Sequence, residues 1–413
     1  MTEGAPRLLF VPVSGAFGMG EYARSLAIAQ AAASRWPGAA IHFVLSREAP
    51  YAARTPFPTT LLASSPTFHS AAVIEVIEQW RPDLVVFDNA GRTAQLRAAK
   101  RSGAGVIYIS ARRRQRSKAF RMRWMRLIDE HWIAYPEFVA GSLSFVERLK
   151  LDVMRRPVVR YLDVILTAAP TPSSDADGKE VRQPLWSRAG MAADSYVLVV
   201  PGGGTGHPGA SGAVEQFLGA ARGLAAAGVD TLFVGVAERH DTASELGGGP
   251  GRTVESEHGV GRRRTHESEL GGGMNRGDGG GHGAESGASR SEAAAHLRIL
   301  GTLPQAELAE LMRGARLIIA NGGSTLLQSI ACGKPCIAVP IAGDQNERIG
   351  RCVRVGAARA AALDSADMLR VATRLWGDEA QLETLAGRAI ALGLADGVEV
   401  ALGAMNALSA KRY

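Results

Sequence analysis

Apolar positions along the chain fall into short runs, each followed by glycines or other turn residues and then by an amphipathic stretch. Leu8 to Val11, Ile41 to Leu45, Leu84 to Phe87 and Val106 to Ile109 are such runs in the first half. Val197 to Val200, Leu297 to Leu300, Leu317 to Ala320 and Cys336 to Val339 repeat the pattern in the second. A run of this length bounded by turn residues reads as a strand, and an apolar one as a strand buried on both faces. The intervening stretches read as helices; Ala71 to Trp80, for example, gathers Val73, Ile74, Val76 and Ile77 on one side. Strand, glycine loop, helix, strand, repeated along the chain, predicts parallel α/β units. The tail from Ser365 to Leu408 reads as alanine-rich helices.

The pattern lapses twice. Residues 169–180, rich in Pro, Ser and Asp, read as a linker. From 239 to 294 glycine triplets punctuate Arg, Glu, Ser and His with almost no large apolar residue. Such a stretch cannot bury enough surface to offset chain entropy and is expected to be a disordered insertion. The predicted organisation is therefore a Rossmann-like N-terminal domain over 1–168, a second over 181–395, and a C-terminal helix over 396–413. A length of 413 residues suits two such domains. No apolar run is long enough to span a membrane, and the short polar start shows no signal peptide. Cys332, Cys336 and Cys352 lack metal-ligand spacing and read as reduced thiols of a cytoplasmic protein.

Charge changes this picture at one place. Between 110 and 128 lie eight cations and no acid, more than the net charge of +7 for the whole chain. Arg112, Arg113 and Arg116 open the run, and Phe120, Trp124 and Met125 are interleaved with it. An anionic membrane attracts such a patch by about 1 kcal/mol per basic residue. An anionic acceptor molecule would pair with the arginine forks, and a solvated helix face needs no partner at all. No nucleic-acid module surrounds the run, so nucleic acid is set aside.

Chemistry concentrates at the glycine turns. At Asn321-Gly322-Gly323-Ser324-Thr325 a strand hands over to a helix, where bare amides and the helix dipole favour an anion, most often a phosphate. Ser324 and Thr325 supply hydroxyls or a cap, and Gln328 lies one turn further in. Gly202 to His207 is a second such loop, offering Gly203 for close backbone approach and Thr205 as a polar group. The first strand runs into Gly18-x-Gly20-x-x-x-Arg24, which is not a dinucleotide fingerprint because the third glycine is missing. Glu21 stands there either as a proton acceptor in the cleft or as a first-turn acid favoured by the helix dipole. Asp88, with Asn89, Gly91 and Arg92, ends another strand, either as a second cleft carboxylate or as a cap for the helix from Thr93 to Ser102.

The segment over about residues 297–350 resembles the donor-binding region of nucleotide-sugar glycosyltransferases of GT-B fold. It is most similar to the families of the transferase that adds N-acetylglucosamine to the lipid-linked peptidoglycan precursor and of the UDP-sugar hydrolase of pseudaminic acid synthesis. The resemblance implies two Rossmann-like domains facing each other across a cleft. It also implies a UDP-linked donor with no further cofactor or metal, and inverting transfer to an acceptor hydroxyl in cell-envelope synthesis. The family's ribose-gripping acid falls at Gln328, five places before Gly333-Lys334-Pro335. Asp344 and Gln345 match the pair that touches the donor sugar. The Gly-x-Gly-His-x-x-Arg loop of the family falls at Gly18 to Arg24, with Glu21 in place of the histidine. The basic segment then implies an anionic, lipid-linked acceptor or contact with the inner membrane. Departures at Glu21 and Gln328 leave two alternatives, a UDP-sugar hydrolase and a non-catalytic nucleotide-sugar-binding protein.

Overall fold

The computed structural model describes residues 5–16, 18–166, 183–202, 212–235 and 295–410. The linker 169–180, the insertion 239–294, Gly203 and Thr205 lie outside the described residues. The first sheet contains β1 (Arg7–Pro12), β2 (Ala40–Ser46), β3 (Thr59–Leu62), β4 (Leu84–Asp88), β5 (Gly105–Ser110), β6 (Glu130–Ile133) and β7 (Val158–Tyr161). Its order is β3-β2-β1-β4-β5-β6-β7, all parallel. The second contains β8 (Val197–Val200), β9 (Thr231–Val234), β10 (Leu297–Leu300), β11 (Leu317–Asn321), β12 (Cys336–Val339) and β13 (Arg359–Ala360). Its order is β10-β9-β8-β11-β12-β13, again parallel throughout.

Side chains alternate across a strand, so a parallel strand covered on both faces feeds two cores. Leu8, Phe10, Phe43, Leu84, Val86 and Ile107 pack on one side of the first sheet, while Leu9, Val11, Val44, Val85, Phe87 and Val106 pack on the other. The second sheet divides in the same way, with Leu198, Val200, Ile318 and Ala338 against Val197, Val199, Ile319 and Ile337. These two-sided cores explain why the central runs in the sequence are apolar without alternation.

The last helix, Gly397–Ala410, leaves the second sheet and returns to the first. Its Val398, Ala401, Leu402 and Met405 join the core formed by Leu8, Phe10 and Ile28. At the crossing the Gly397 amide donates to the Val164 carbonyl at 2.8 Å, and the Ala395 amide to Asp163 Oδ2 at 3.0 Å. A Cβ at Gly397 would lie 2.0 Å from the Leu162 carbonyl oxygen, so only glycine lets the two segments pass this closely.

Some elements differ from expectation. The first helix runs Gly20–Arg35, so Gly20 to Arg24 is helix rather than loop. The basic segment is two short helices, Arg113–Ala119 and Met122–Met125. Among the described residues, no helix is long and apolar enough to cross a membrane.

Candidate active site

In an open parallel sheet the crevice for ligands lies at the carboxyl ends of strands where the order reverses. Here those points fall between β1 and β4, and between β8 and β11. At the first, Glu21, Arg24 and Ser25 lie at i, i+3 and i+4 on the opening turns of the helix Gly20–Arg35, so they share a face. All three reach the end of β4. Arg24 Nε and Nη2 grip Asp88 Oδ2 and Oδ1 at 2.8 and 2.7 Å, and the Ser25 hydroxyl lies 3.3 Å from Oδ2. Asp88 is fully buried. Burial pushes its carboxyl up to about 6, with the Arg24 charge and hydrogen bonds opposing the rise. Glu21 is half-buried, and its Oε1 accepts from Asn89 Nδ2 at 2.8 Å. The other amide atom of Asn89, Oδ1, accepts from the Ala111 amide at 2.9 Å. Asn89 sits at φ +52°, the left-handed region that asparagine tolerates.

At the second switch point Asn321 holds the crevice together. Its Nδ2 donates to the Pro201 carbonyl at the end of β8, and its Oδ1 accepts from the Gly323 amide at 2.6 Å. Gly202 (φ +78°) is required beside it, since a Cβ there would fall 1.9 Å from Asn321 Nδ2. The Gly322 amide donates to the Val339 carbonyl at 2.9 Å and is 3.2 Å from Gln345 Oε1, which also accepts from the Ile341 amide at 2.9 Å. Both glycine amides are thus satisfied inside the protein. The helix Ser324–Ala331 follows with no side-chain cap, so the amides of its first turn are the ones left to meet an anion.

The two sheets face one another across a cleft of about 660 Å³. Its first wall carries Ser110, Ala111, Arg112, Arg113 and Tyr135; its second carries Asp344, Glu347, Arg348 and Arg351 from the helix Gln345–Arg354 and its approach. Among the described residues, side-chain bonds that join the lobes beside this cleft include Arg351 Nη1 to the Val139 carbonyl at 2.7 Å and Gln328 Nε2 to the Ile165 carbonyl at 3.0 Å.

No protein-family profile matches the sequence, and no curated protein matches it. Solved structures do. The glycosyltransferase SnogD from Streptomyces nogalater is similar with a TM-score of 0.57 at 17% identity, over 98% of this chain and 99% of that one. MurG of Acinetobacter baumannii is similar with a TM-score of 0.51 at 14% identity, over 93% and 94%. This chain has the GT-B fold. The same architecture carries a UDP-N-acetylglucosamine 2-epimerase, similar with a TM-score of 0.50 at 12% identity over 97% and 95%. Likeness at these identities fixes architecture, and the site must argue the reaction.

Within the GT-B frame the sequence-predicted residues separate. Gly18 (φ +83°), Gly20 and Glu21 stand at the first-lobe crevice, Gly18 and Gly20 exposed. Asp88 has no exposed atom and both oxygens engaged, so it meets no substrate hydroxyl. Nor does it cap the next helix, whose N-cap is Arg92; Arg92 Nε holds the Thr67 carbonyl at 2.9 Å. Ser324 and Thr325 are first-turn helical residues rather than caps, because Gly323 occupies the cap. Gln328 spends its amide N–H on the Ile165 carbonyl. Asp344 is solvent-facing at the cleft rim, while Gln345 locks the Gly322 turn.

The basic segment also divides. Arg112 and Arg113 are exposed at the cleft, but Arg116 is buried, paired through Nε and Nη2 with Glu147 at 3.1 and 2.8 Å and bonded to the carbonyls of Gly141 and Ser142. Phe120, Trp124 and Met125 turn inward to the first lobe. His131 is a fully buried core histidine bonded to the Ser110 hydroxyl at 2.9 Å, and burial pushes it down to about 3. Two residues to which sequence reading gave no role matter here, Tyr135 and Arg348, and Asn89 was named there only as a neighbour of Asp88. Arg348 follows Gln345 by three positions, which puts it on the same helix face; that spacing was the available signal.

Proposed function

We propose that this chain transfers a sugar from a nucleotide-diphospho-sugar, UDP-linked by the resemblance of its donor segment, to an acceptor hydroxyl. The observation that carries the reading is the cleft. It lies between the two parallel sheets, with Arg112 and Arg113 on one wall and Arg348 on the other. Arg348 reaches the Gly322 carbonyl just before the uncapped helix Ser324–Ala331. The half-buried Glu21 stands at the switch point of the first sheet. Glu21 is the base: it takes the acceptor proton, the acceptor oxygen bonds to the anomeric carbon, and the bond to phosphate breaks with its electron pair leaving on the nucleoside diphosphate. This is one inverting displacement. Positive potential at the amides of Ser324 to Leu326 stabilises the departing diphosphate in place of a metal. Asp88 and Arg24 position Glu21 by fixing its helix against β4. Asp344 faces the sugar from the cleft rim, and Gln328 stands by the ribose.

Arg112 and Arg113 on the acceptor wall favour an anionic acceptor, and the outer surface of the same lobe favours a lipid-linked one at the cytoplasmic face of the inner membrane, in cell-envelope synthesis. The helix Phe145–Met154 buries no residue fully. Phe145, Val146, Leu149 and Val153 are 71, 56, 51 and 71% exposed. At about 100° per residue these positions fall within one stripe about 100° wide. Lys150 of that helix bonds the Phe120 carbonyl at 3.1 Å, and the exposed Arg121, Arg123 and Arg126 that follow Phe120 add cationic charge to the same lobe. An apolar stripe with arginines on the same lobe suits an anionic bilayer surface.

The decisive experiment is a melting-shift screen of the purified chain with UDP-, GDP-, dTDP- and CMP-sugars, followed by donor turnover with and without acceptor. A ligand that binds the folded state raises the melting point. Stabilisation by one nucleotide class with acceptor-dependent turnover supports transfer. Fast turnover without acceptor replaces transfer by hydrolysis, and binding without turnover leaves a nucleotide-sugar-binding protein. No shift with any donor sinks the reading.

A further inference from the structure

Arg348 stands at the donor turn, on the helix Gln345–Arg354, in a setting that lacks enough acceptors. Its side chain is only 10% exposed. Nη1 donates to the Gly322 carbonyl, and Nη2 is 3.7 Å from Asp344 Oδ2, beyond hydrogen-bond reach. Nε is buried with no partner. The guanidinium carbon lies 4.6 Å from the centroid of the Tyr135 ring, which belongs to the other lobe and fixes the plane of the fork. A guanidinium has five N–H donors, and leaving a buried one unsatisfied costs free energy. The group therefore sits on the wall of the cleft with an unmet demand for acceptors, bonded to the Gly322 carbonyl two residues before the uncapped helix Ser324–Ala331.

We propose that Arg348 binds the diphosphate of the donor, supplying the cation opposite the leaving group while the first-turn amides supply neutral donors. This rests on the glycosyl-transfer reading above and names a phosphate-binding residue within it. Oxygens of a diphosphate match a guanidinium fork in geometry and charge, and the water-poor setting strengthens the contact. As the bond to the anomeric carbon breaks, the leaving diphosphate gains charge. A cation held there stabilises the transition state more than the bound donor. The Tyr135 ring and the Gly322 carbonyl hold the fork ready before the ligand arrives.

The test compares each nucleoside diphosphate with its nucleoside by calorimetry on the full chain: UDP with uridine, GDP with guanosine, dTDP with thymidine. In Arg348→Ala the diphosphate that the wild type binds should weaken by roughly tenfold to a hundredfold, while its nucleoside holds its affinity. Arg348→Lys, which keeps charge but not the fork, should fall between. Equal losses for diphosphate and nucleoside mean that Arg348 only props up the turn, and they overturn the proposal while the donor reading stands. Should Arg348→Ala not fold, undiminished diphosphate binding in Arg348→Lys overturns it equally. A wild type that binds none of the three diphosphates removes the donor reading itself.

Discussion

Replacing Arg24 with methionine should destabilise the first lobe by an amount that depends on pH in a particular direction. The substitution keeps an unbranched side chain in a site where the arginine is only 9% exposed, and removes the charge facing a fully buried Asp88. In the wild type the Asp88 carboxyl already sits at about 6, above its ordinary 3.8, because burial outweighs the pull of Arg24 and Ser25. A raised carboxyl pKa means the folded state holds its proton more tightly than the unfolded chain does. The associated stability is complete below the ordinary value and is lost as pH climbs through the folded one. Methionine removes both lowering effects of Arg24, so the folded pKa rises further and the loss continues to higher pH. Each pH unit between the two folded values costs about 1.4 kcal/mol. Over about two units, from 6 to 8, the deficit relative to wild type grows to about 3 kcal/mol, within the usual 3–5 for stripping one partner from a buried pair. Urea unfolding followed by tryptophan fluorescence at pH 5.5 and pH 8 measures it. The variant should lie near wild type at the lower pH and well below it at the higher. Arg24→Met combined with Asp88→Asn, which has no carboxyl to titrate, should lose the steep fall in stability that the single variant shows between the two pH values. A deficit that grows on acidification would refute the assignment of the pair.

Glu21→Gln keeps the bond to Asn89 by presenting its own carbonyl, yet cannot take a proton. It should lower kcat by about 10²–10⁴ with little change in donor KM, and unchanged kcat would remove Glu21 from the chemistry. Gly397→Ala would place a methyl 2.0 Å from the Leu162 carbonyl oxygen, forcing the two crossing segments apart. A loss of about 1–3 kcal/mol is expected from such overpacking, and a melting point equal to wild type would contradict the close crossing. Changing Phe145, Leu149 and Val153 together to serine should cut co-sedimentation with anionic vesicles by more than about tenfold, since each large apolar side chain buried contributes about 1.5–3 kcal/mol. Because the three side chains are exposed, the melting point should hold. Equal retention of the triple variant on the vesicles would show that the stripe is not the contact.

The sequence alone determined the strand runs and the places where glycine turns interrupt them. Buried parallel strands must be apolar on both faces, and a chain leaving a strand for a helix needs a turn; both demands are local and leave their mark in residue order. That is why Leu8 to Val11 and Leu317 to Ala320, with the crevices at their ends, were legible before any coordinates. Which polar group faces solvent is a different kind of fact, set by partners distant in the chain. Asp88 is withdrawn from the cleft by Arg24, sixty-four residues away, and Arg116 by Glu147, thirty-one away. Phe120 and Trp124, adjacent to arginines in sequence, turn inward because they pack edge-on against His131 and Tyr108 of the first sheet. The glycine amides at 322 and 323 are consumed by Val339 and Asn321, and Arg348 faces the turn only because its helix packs beneath it. Periodicity reports an element's own burial pattern; the pairing of charges and the filling of hydrogen bonds between elements exist only once the chain has closed on itself.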